Sequence, residues 1–553
     1  MKKALYTIGV DFGTLSARAV VADSRDGAIL ASAESVYAHG VLIEQLPDGT
    51  ALPPEWALQV PQDYLDALTA SVREAMAHSG LTADDIAALG WDFTSCTVLP
   101  TNEQGTPLCA LPELTGRPHA YCKLWKHHAA QSCAGRIEAL AHEMDQSFRH
   151  RYGGRVSSEW TYPKLLQILE EDPQLADRTD VFLEAGDWLL WQLTGRLVRN
   201  GCAAGFKQFW AENGDLPTED YLAALHPHFP ALCRRALRGD VCAPWQQAGA
   251  LTPDWADRLG LHPGIAVAAG IVDAHAAVIG AGVRRAGEGL LIVGTSSCQL
   301  VVDERPISVR GICGYAKDAI VPDLYAYESG QPCVGDLFDW FVRRCVPEDY
   351  AAEARAKGMN LHQLLSEKAA ALQVGESGLV ALDWWNGQRS PFVDDDLSGV
   401  MLGLTLRTRP EEQYRALLES CAYGVRLIFD TYRRHGLTIG TVTVCGGIAR
   451  KNPLLMQIYA DVLGCEVHIS ESEQACALGA AILAATAAGC HDTMAQAMAA
   501  MAAPTERTYA PDPARAQVYD RLYAIYEESA RYFALQTDAL HRLMALRQGG
   551  NSQ

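Results

Sequence analysis

Asp273 carries the sharpest chemical signature in the chain. It follows an apolar run at residues 265–269 and Gly270, and it opens a small-residue segment, Ala274-His275-Ala276-Ala277, that reads as a helix ending near Gly280. A carboxylate in so apolar a setting is costly to bury alone, so it is hydrogen-bonded, metal-bound or used as a base. An Asp at a helix start is equally a cap, and the pattern weighs the two readings evenly. His275 reads as a core histidine rather than a metal ligand. Asp11 ends a β-rich stretch beside Phe12-Gly13-Thr14, where a carboxylate suits Mg²⁺ through water or simply caps the turn. A related turn, Gly294-Thr295-Ser296, follows another β-rich stretch at residues 289–293. Backbone N–H groups of such Gly/Thr turns form concave anion sites without any lysine. Singly, each is more simply a hairpin tip.

Other phosphate and hydrolase chemistries fall away. No lysine follows a glycine, so there is no Walker A loop, and neither a G-x-S-x-G elbow nor an H-E-x-x-H helix occurs. The sixteen cysteines are scattered without a C-x-x-C pair, which predicts free thiols in a reducing cytosol rather than a zinc site or a disulfide framework. Lys+Arg 46 against Asp+Glu 66 gives 46 − 66 = −20, which argues against nucleic acid or anionic lipid as a partner. The same acidity sits awkwardly with a phosphate ligand. Lys2 and Lys3 precede an apolar stretch that Asp11 ends too early for a signal peptide. The longest near-apolar runs, 264–283 and 477–489, are interrupted or too short to span a membrane. A cytoplasmic protein is expected.

These residues need elements to hold them. Strand stretches at 5–10 and 17–22 make one hairpin, and those at 289–293 and 298–302 make another. Two such hairpins suggest a duplicated domain, which reduces the several domains that 553 residues allow to two, divided near His262-Pro263. Alternating strands and helices between them indicate an α/β class. Residues 86–93 read as a strand ending in the polar loop Thr94-Ser95-Cys96-Thr97, and 127–142 as a helix with His127-His128 on its surface. Residues 155–240 yield no ordered reading. A long helix starts at Pro410 and stops at Gly436. Strand 441–445, Gly446-Gly447 and the Asn452-Pro453 start of another helix form a geometry suited to approach by a nucleotide. Residues 514–546 read as packing helix.

In this order Asp11-Phe12-Gly13-Thr14, the strand leading to Asp273, Gly294-Thr295-Ser296, Gly446-Gly447 with Asn452, and Ala477-Leu478-Gly479-Ala480-Ala481 resemble the FGGY carbohydrate kinases. That family belongs to the actin/Hsp70/hexokinase clan. The resemblance covers essentially the whole chain and implies two duplicated ribonuclease-H-like α/β domains around a cleft, 1–262 on the sugar side and 263–553 on the ATP side. It implies ATP and Mg²⁺ as cofactors. Asp273 would be the base, Asp11 would position Mg²⁺ through water, and Gly13 and Thr14 would lie near the transferring phosphate. Gly294 and Thr295 would hold the β/γ-phosphates, with Gly446, Gly447 and Asn452 flanking the adenosine. Ser95, Lys207, Asp273 and Glu328 would bind the sugar. Leu124-Trp125-Lys126-His127-His128-Ala129, Glu328-Ser329-Gly330-Gln331 and Asp383-Trp384-Trp385-Asn386-Gly387 resemble members acting on L-ribulose, the ketopentose of L-arabinose breakdown, and D-ribulose stays open beside it. Kinases of xylulose, ribitol or glycerol, and a non-catalytic nucleotide-gated sugar sensor, stay open as alternatives, as does a homodimer. Many family members carry Asp where this chain has His127, and Trp where it has Gln167, three residues after Lys164.

Overall fold

The structure, a computed structural model, describes residues 5–549, and Lys2 and Lys3 lie outside them. Tyr6–Phe12 (β1) and Ser16–Asp23 (β2) form the first hairpin, which Ile29–Val36 (β3) extends antiparallel. Ile8, Val10 and Phe12 are fully buried, as in a strand hemmed in by its neighbours. Pro61–Ser79 (α1), opened by its proline and closed by Gly80 at φ 69°, lies against β2 and β3. Ile86–Phe93 (β4) pairs parallel with β1, placing Asp92 opposite Asp11. Gln131–Glu143 (α2) and Thr161–Glu171 (α3) belong to a satellite core with Phe148, Trp160 and Phe209. Gly201–Lys207 (α4) follows, before Gln247–Ala250 (β5), Ala266–Ala268 (β6) and Ile271–Val272 (β7) rejoin the sheet. The sheet runs β5-β6-β4-β1-β2-β3, with β7 also beside β4. Asp273–Gly280 (α5) leaves β7 without a loop.

The second half repeats this plan. Glu288–Val293 (β8) and Ser297–Asp303 (β9) are its hairpin, followed by Gly314–Lys317 (β10) and Tyr325–Gln331 (β11). Pro410–Arg434 (α6) is the expected long helix, with Tyr414, Leu417, Cys421, Val425, Ile428 and Tyr432 buried at helical spacing. Then come Thr441–Cys445 (β12), Gly447–Lys451 (α7), Pro453–Leu463 (α8), Glu466–Ser470 (β13), Ala475–Ala487 (α9), Thr505–Tyr509 (β14) and Pro513–Arg531 (α10). The second sheet runs β10-β11-β9-β8-β12-β13-β14. Within it β11-β9-β8-β12-β13 matches β3-β2-β1-β4-β6 of the first: three antiparallel strands, then two parallel ones.

Two helices, α5 and α9, occupy equivalent places and cross between the sheets. Only glycine permits their approach. A Cβ on Gly280 would stand 2.0 Å from Ala475 O, and one on Gly479 2.0 Å from Ala276 O. Helix α9 also lies on β1 and β4, where a Cβ on Gly9 would be 2.0 Å from Ala477 O and one on Gly90 2.5 Å from Ala480 O.

Several expectations need correction. Strands β6 and β7 pair with β4, so the first sheet continues beyond His262-Pro263 and the second begins only at Glu288. Hydrogen bonding to β4 outweighs the turn residues that suggested a division there. The helix expected from His127 starts at Gln131, because residues 127–130 form turns bonded to Leu124 and Glu55. His127 is no surface residue: it is fully buried. None of the sixteen cysteines forms a disulfide, and among the described residues no helix is long and apolar enough to cross a membrane.

Candidate active site

The carboxyl ends of β1, β4 and β7 lie side by side, and each delivers an acid. Asp11 and Asp92 sit in register on β1 and β4, Ile271 pairs with Asp92, and Asp273 comes directly after β7 as the first residue of α5. Ligands of open α/β sheets bind at this edge. The Asp273 carboxyl is raised to about 7, chiefly by burial and also by Asp11 and Glu328, against the lowering effect of the Ala274 N–H bond and Lys207. Its Oδ1 accepts the Ala274 N–H at 2.7 Å. The cap reading and the base reading are therefore compatible: one oxygen is anchored to the backbone of its own helix.

Lys207, at the end of α4, and Glu328, within β11, meet from the two halves of the chain. Their Nζ to Oε2 distance is 2.7 Å, with both side chains largely buried. Burial alone would raise Glu328, but the Lys207 ammonium and His275 outweigh it and hold the carboxylate well below its usual range. Burial alone would lower Lys207, and Glu328 holds it up. His275 is buried, with Nε2 3.4 Å from Glu328 Oε2 and Nδ1 2.8 Å from Cys202 Sγ, so it backs Glu328. Ser95 is half-buried in the loop after β4, where Cys96 adopts φ 56°. Lys164 Nζ fixes that loop by donating to Cys96 O at 2.7 Å and to Leu124 O at 2.9 Å. Cys96, in this loop, lies within electrostatic reach of Lys207.

Around the first hairpin tip, Tyr37 Oη donates to Gly13 O at 3.1 Å, Gln59 Nε2 to Thr14 O at 2.7 Å and Trp125 Nε1 to Thr14 Oγ1 at 3.2 Å. The Thr14 hydroxyl proton remains available to a ligand. At the second tip the Val334 and Gly335 N–H groups donate to Thr295 O and Gly294 O at 2.9 and 3.0 Å, while Thr295 and Ser296 stay exposed. Gly446, at φ 104°, brings the end of β12 against β8, where a Cβ would be 2.4 Å from Val293 O. Gly447 opens α7. Asn452 Oδ1 accepts the Leu455 N–H at 3.0 Å as the cap of α8. The two hairpin tips and the diglycine turn stand at the same ends of their sheets as the acids.

Three residues here escaped the sequence reading. Asp92 is fully buried, and neither of its oxygens accepts a hydrogen bond among the described residues. Burial and the Asp11 charge push its pKa well up. Cys476, in the first turn of α9, completes a group with Asp11 and Asp92 whose ligand atoms all lie within 4.8 Å of one another. Two carboxylates on neighbouring strands, one with orphaned oxygens, fit a hard divalent cation such as Mg²⁺. Asp92, like Asp273, is a carboxylate in an apolar stretch, the sequence signal that distinguishes it. Arg389 is the third, within electrostatic reach of Glu159 and Glu328.

Comparison with known proteins agrees with this geometry. The N-terminal domain of the FGGY family of carbohydrate kinases matches residues 6–280 and its C-terminal domain residues 289–488. The chain belongs to the FGGY family of carbohydrate kinases, and it is a kinase. A ribulokinase from Shouchella clausii is 47% identical over 548 residues, covering 98% of each chain. One from Mycolicibacterium smegmatis is 46% identical over 544 residues, 98% of this chain and 96% of that one. Among solved structures, a xylulose kinase from Rhodospirillum rubrum superimposes with a TM-score of 0.78 at 24% identity, covering 98% of this chain and 99% of that one. A Plasmodium falciparum glycerol kinase with ADP gives 0.76 at 17% identity, with 95% and 98% covered. These last two establish the two-domain fold.

Proposed function

We propose that this chain phosphorylates ribulose, with L-ribulose as the principal substrate, at the expense of ATP to give ribulose 5-phosphate. The observation that carries this reading is full-length identity of 44–47% to six ribulokinases, and it is supported by the proximity of Lys207 and Glu328 to Asp273, whose carboxyl both influence. Asp273 takes the proton of the sugar O5 hydroxyl as that oxygen attacks the γ-phosphorus. The new O–P bond forms as the bridge to the β-phosphate breaks, and ADP leaves. Such transfer needs positioning and charge neutralisation rather than covalent catalysis. Lys207, Glu328 and Ser95 orient the hydroxyls and carbonyl of the ketopentose. Gly13, Thr14, Gly294 and Thr295 receive the phosphates, and Gly446, Gly447 and Asn452 border the adenosine. Asp11 and Asp92 would hold Mg²⁺, which neutralises the phosphate oxygens when bound. The sugar side ends with α5 and the ATP side begins at Glu288, and the free thiols suit a cytoplasmic enzyme.

The test is sugar-dependent ADP release with a phosphorylated pentulose identified by mass spectrometry, across L-ribulose, D-ribulose, xylulose, ribitol and glycerol. The expected result is the highest kcat/KM for L-ribulose. ATP turnover without a phosphorylated sugar, or a clear preference for a polyol, overturns the assignment.

A further inference from the structure

We infer that Asp11, Asp92 and Cys476 form a mixed oxygen–sulfur metal centre in which a thiophilic divalent cation displaces Mg²⁺ and inhibits the enzyme. The ligand atoms already lie within 4.8 Å of one another, the spread that one bound cation spans. The side chains point to a common spot. Gly9 and Asp11 alternate on one face of β1, as Gly90 and Asp92 do on β4, and both glycines abut α9. Going along each strand therefore leads from the body of α9 towards its first turn, where Cys476 sits. The second observation is Asp92 itself, a fully buried carboxyl with neither oxygen hydrogen-bonded among the described residues. Arg18, the nearby cation, is paired with Glu34 at 2.7 Å and offsets the Asp11 charge only in part, so burial still raises the Asp11 carboxyl.

Mg²⁺ binds the two carboxylates and water and ignores sulfur, whereas Zn²⁺ and Cd²⁺ accept all three donors and leave a fourth position for water. On binding, the metal–sulfur bond forms, the thiol proton passes to water, and no electron is transferred. The centre then ties the start of α9 to β1 and β4 and occupies the oxygens intended for Mg²⁺.

The inference rests on the kinase reading, but its test does not require turnover. Full-length protein, reduced and without sugar or ATP, is titrated with Cd²⁺ while the ultraviolet thiolate-to-cadmium charge-transfer band is recorded. One equivalent should bind in the wild type that is absent in both Cys476→Ser and Cys476→Ala and weakened in Asp92→Asn. In turnover assays Zn²⁺ should compete with Mg²⁺, and Cys476→Ser should raise the half-inhibiting concentration by at least the roughly 10- to 100-fold that even indirect ligand losses cost. Identical Cd²⁺ stoichiometry and affinity in wild type and both Cys476 variants, or Zn²⁺ inhibition that does not depend on Mg²⁺ concentration, overturns it. An enzyme that phosphorylates ribulose without a Cys476-dependent band refutes this inference alone.

Discussion

His127 and Gln167, the two positions at which the chain departs from the commoner family residues, are bonded to each other. The His127 Nε2 and Gln167 Oε1 atoms are 3.0 Å apart, both side chains are buried, and His127 Nδ1 accepts the Ala57 N–H at 3.4 Å. Burial and nearby Lys123 and Lys164 keep the imidazole neutral. With both ring nitrogens engaged by Gln167 and Ala57, the imidazole is committed to the interior. At the reacting centre, Asp273→Asn should lower kcat by about 10²- to 10⁴-fold, the range for a positioned base, in steady-state assays. The carboxyl must be ionised to act, and it faces Asp11 and Glu328, which raise its value, and Lys207, which lowers it, with burial the main cause of a value about 7. The kcat/KM of the wild type should therefore rise with pH, about tenfold per unit on the acid side, and level off above that value; a flat acid limb down to about pH 5 would exclude Asp273 as the base. Lys207→Met and Glu328→Gln should each cost about 3–5 kcal/mol in denaturant unfolding, since either leaves a buried charge unpaired. The double variant should lose less than the sum, and all three should lose kcat/KM for the sugar more than for ATP.

The elements carrying these residues were legible to unequal degrees. Both hairpins, α6 and the β12–diglycine–α8 unit read correctly because local rules fix them: strand alternation, a proline at the helix start, an Asn cap, a glycine stop. The division near His262-Pro263 did not, because membership of β6 and β7 in the first sheet is decided by pairing with β4, more than 170 residues earlier in the chain. Asp273 stood out as a carboxylate in an apolar run, a signal Asp92 shares, and Lys207 and Glu328 were proposed through family motifs, whereas Cys476 acquires meaning only when β1, β4 and α9 are laid side by side. The glycine contacts are equally non-local. Gly479→Ala places a methyl against Ala276 O and should separate α5 from α9, costing about 1–3 kcal/mol of stability. Because α5 begins at Asp273, kcat should fall as well, and a variant of unchanged melting temperature and kcat would show that the crossing tolerates expansion.

For the molecule as a whole, the charge of −20 takes on a local meaning. In the proposed reaction Asp11, Asp92 and Asp273 all face the triphosphate, and the hairpin tips contribute backbone and hydroxyl groups but no cation. Omitting Mg²⁺ should therefore weaken ATP binding by about 10- to 100-fold in calorimetry, since like charges are opposed at close range in a poorly solvated cleft. Replacing the tip residues should do less. The two halves also share one core, in which Val20 and Ala268 of the first sheet join α5, α9, Leu290 and Leu300.

That shared core sets the order in which the protein can be completed. Thr7 donates its hydroxyl to Ala481 O at 3.1 Å, a bond between residues 474 positions apart. During synthesis the opening strands leave the ribosome long before the helix that covers them, at about 5–20 residues per second. The groove floored by Gly9 and Gly90 stays uncovered for that interval, a surface on which a chaperone, or the corresponding segment of a neighbouring nascent chain, can rest before α9 arrives.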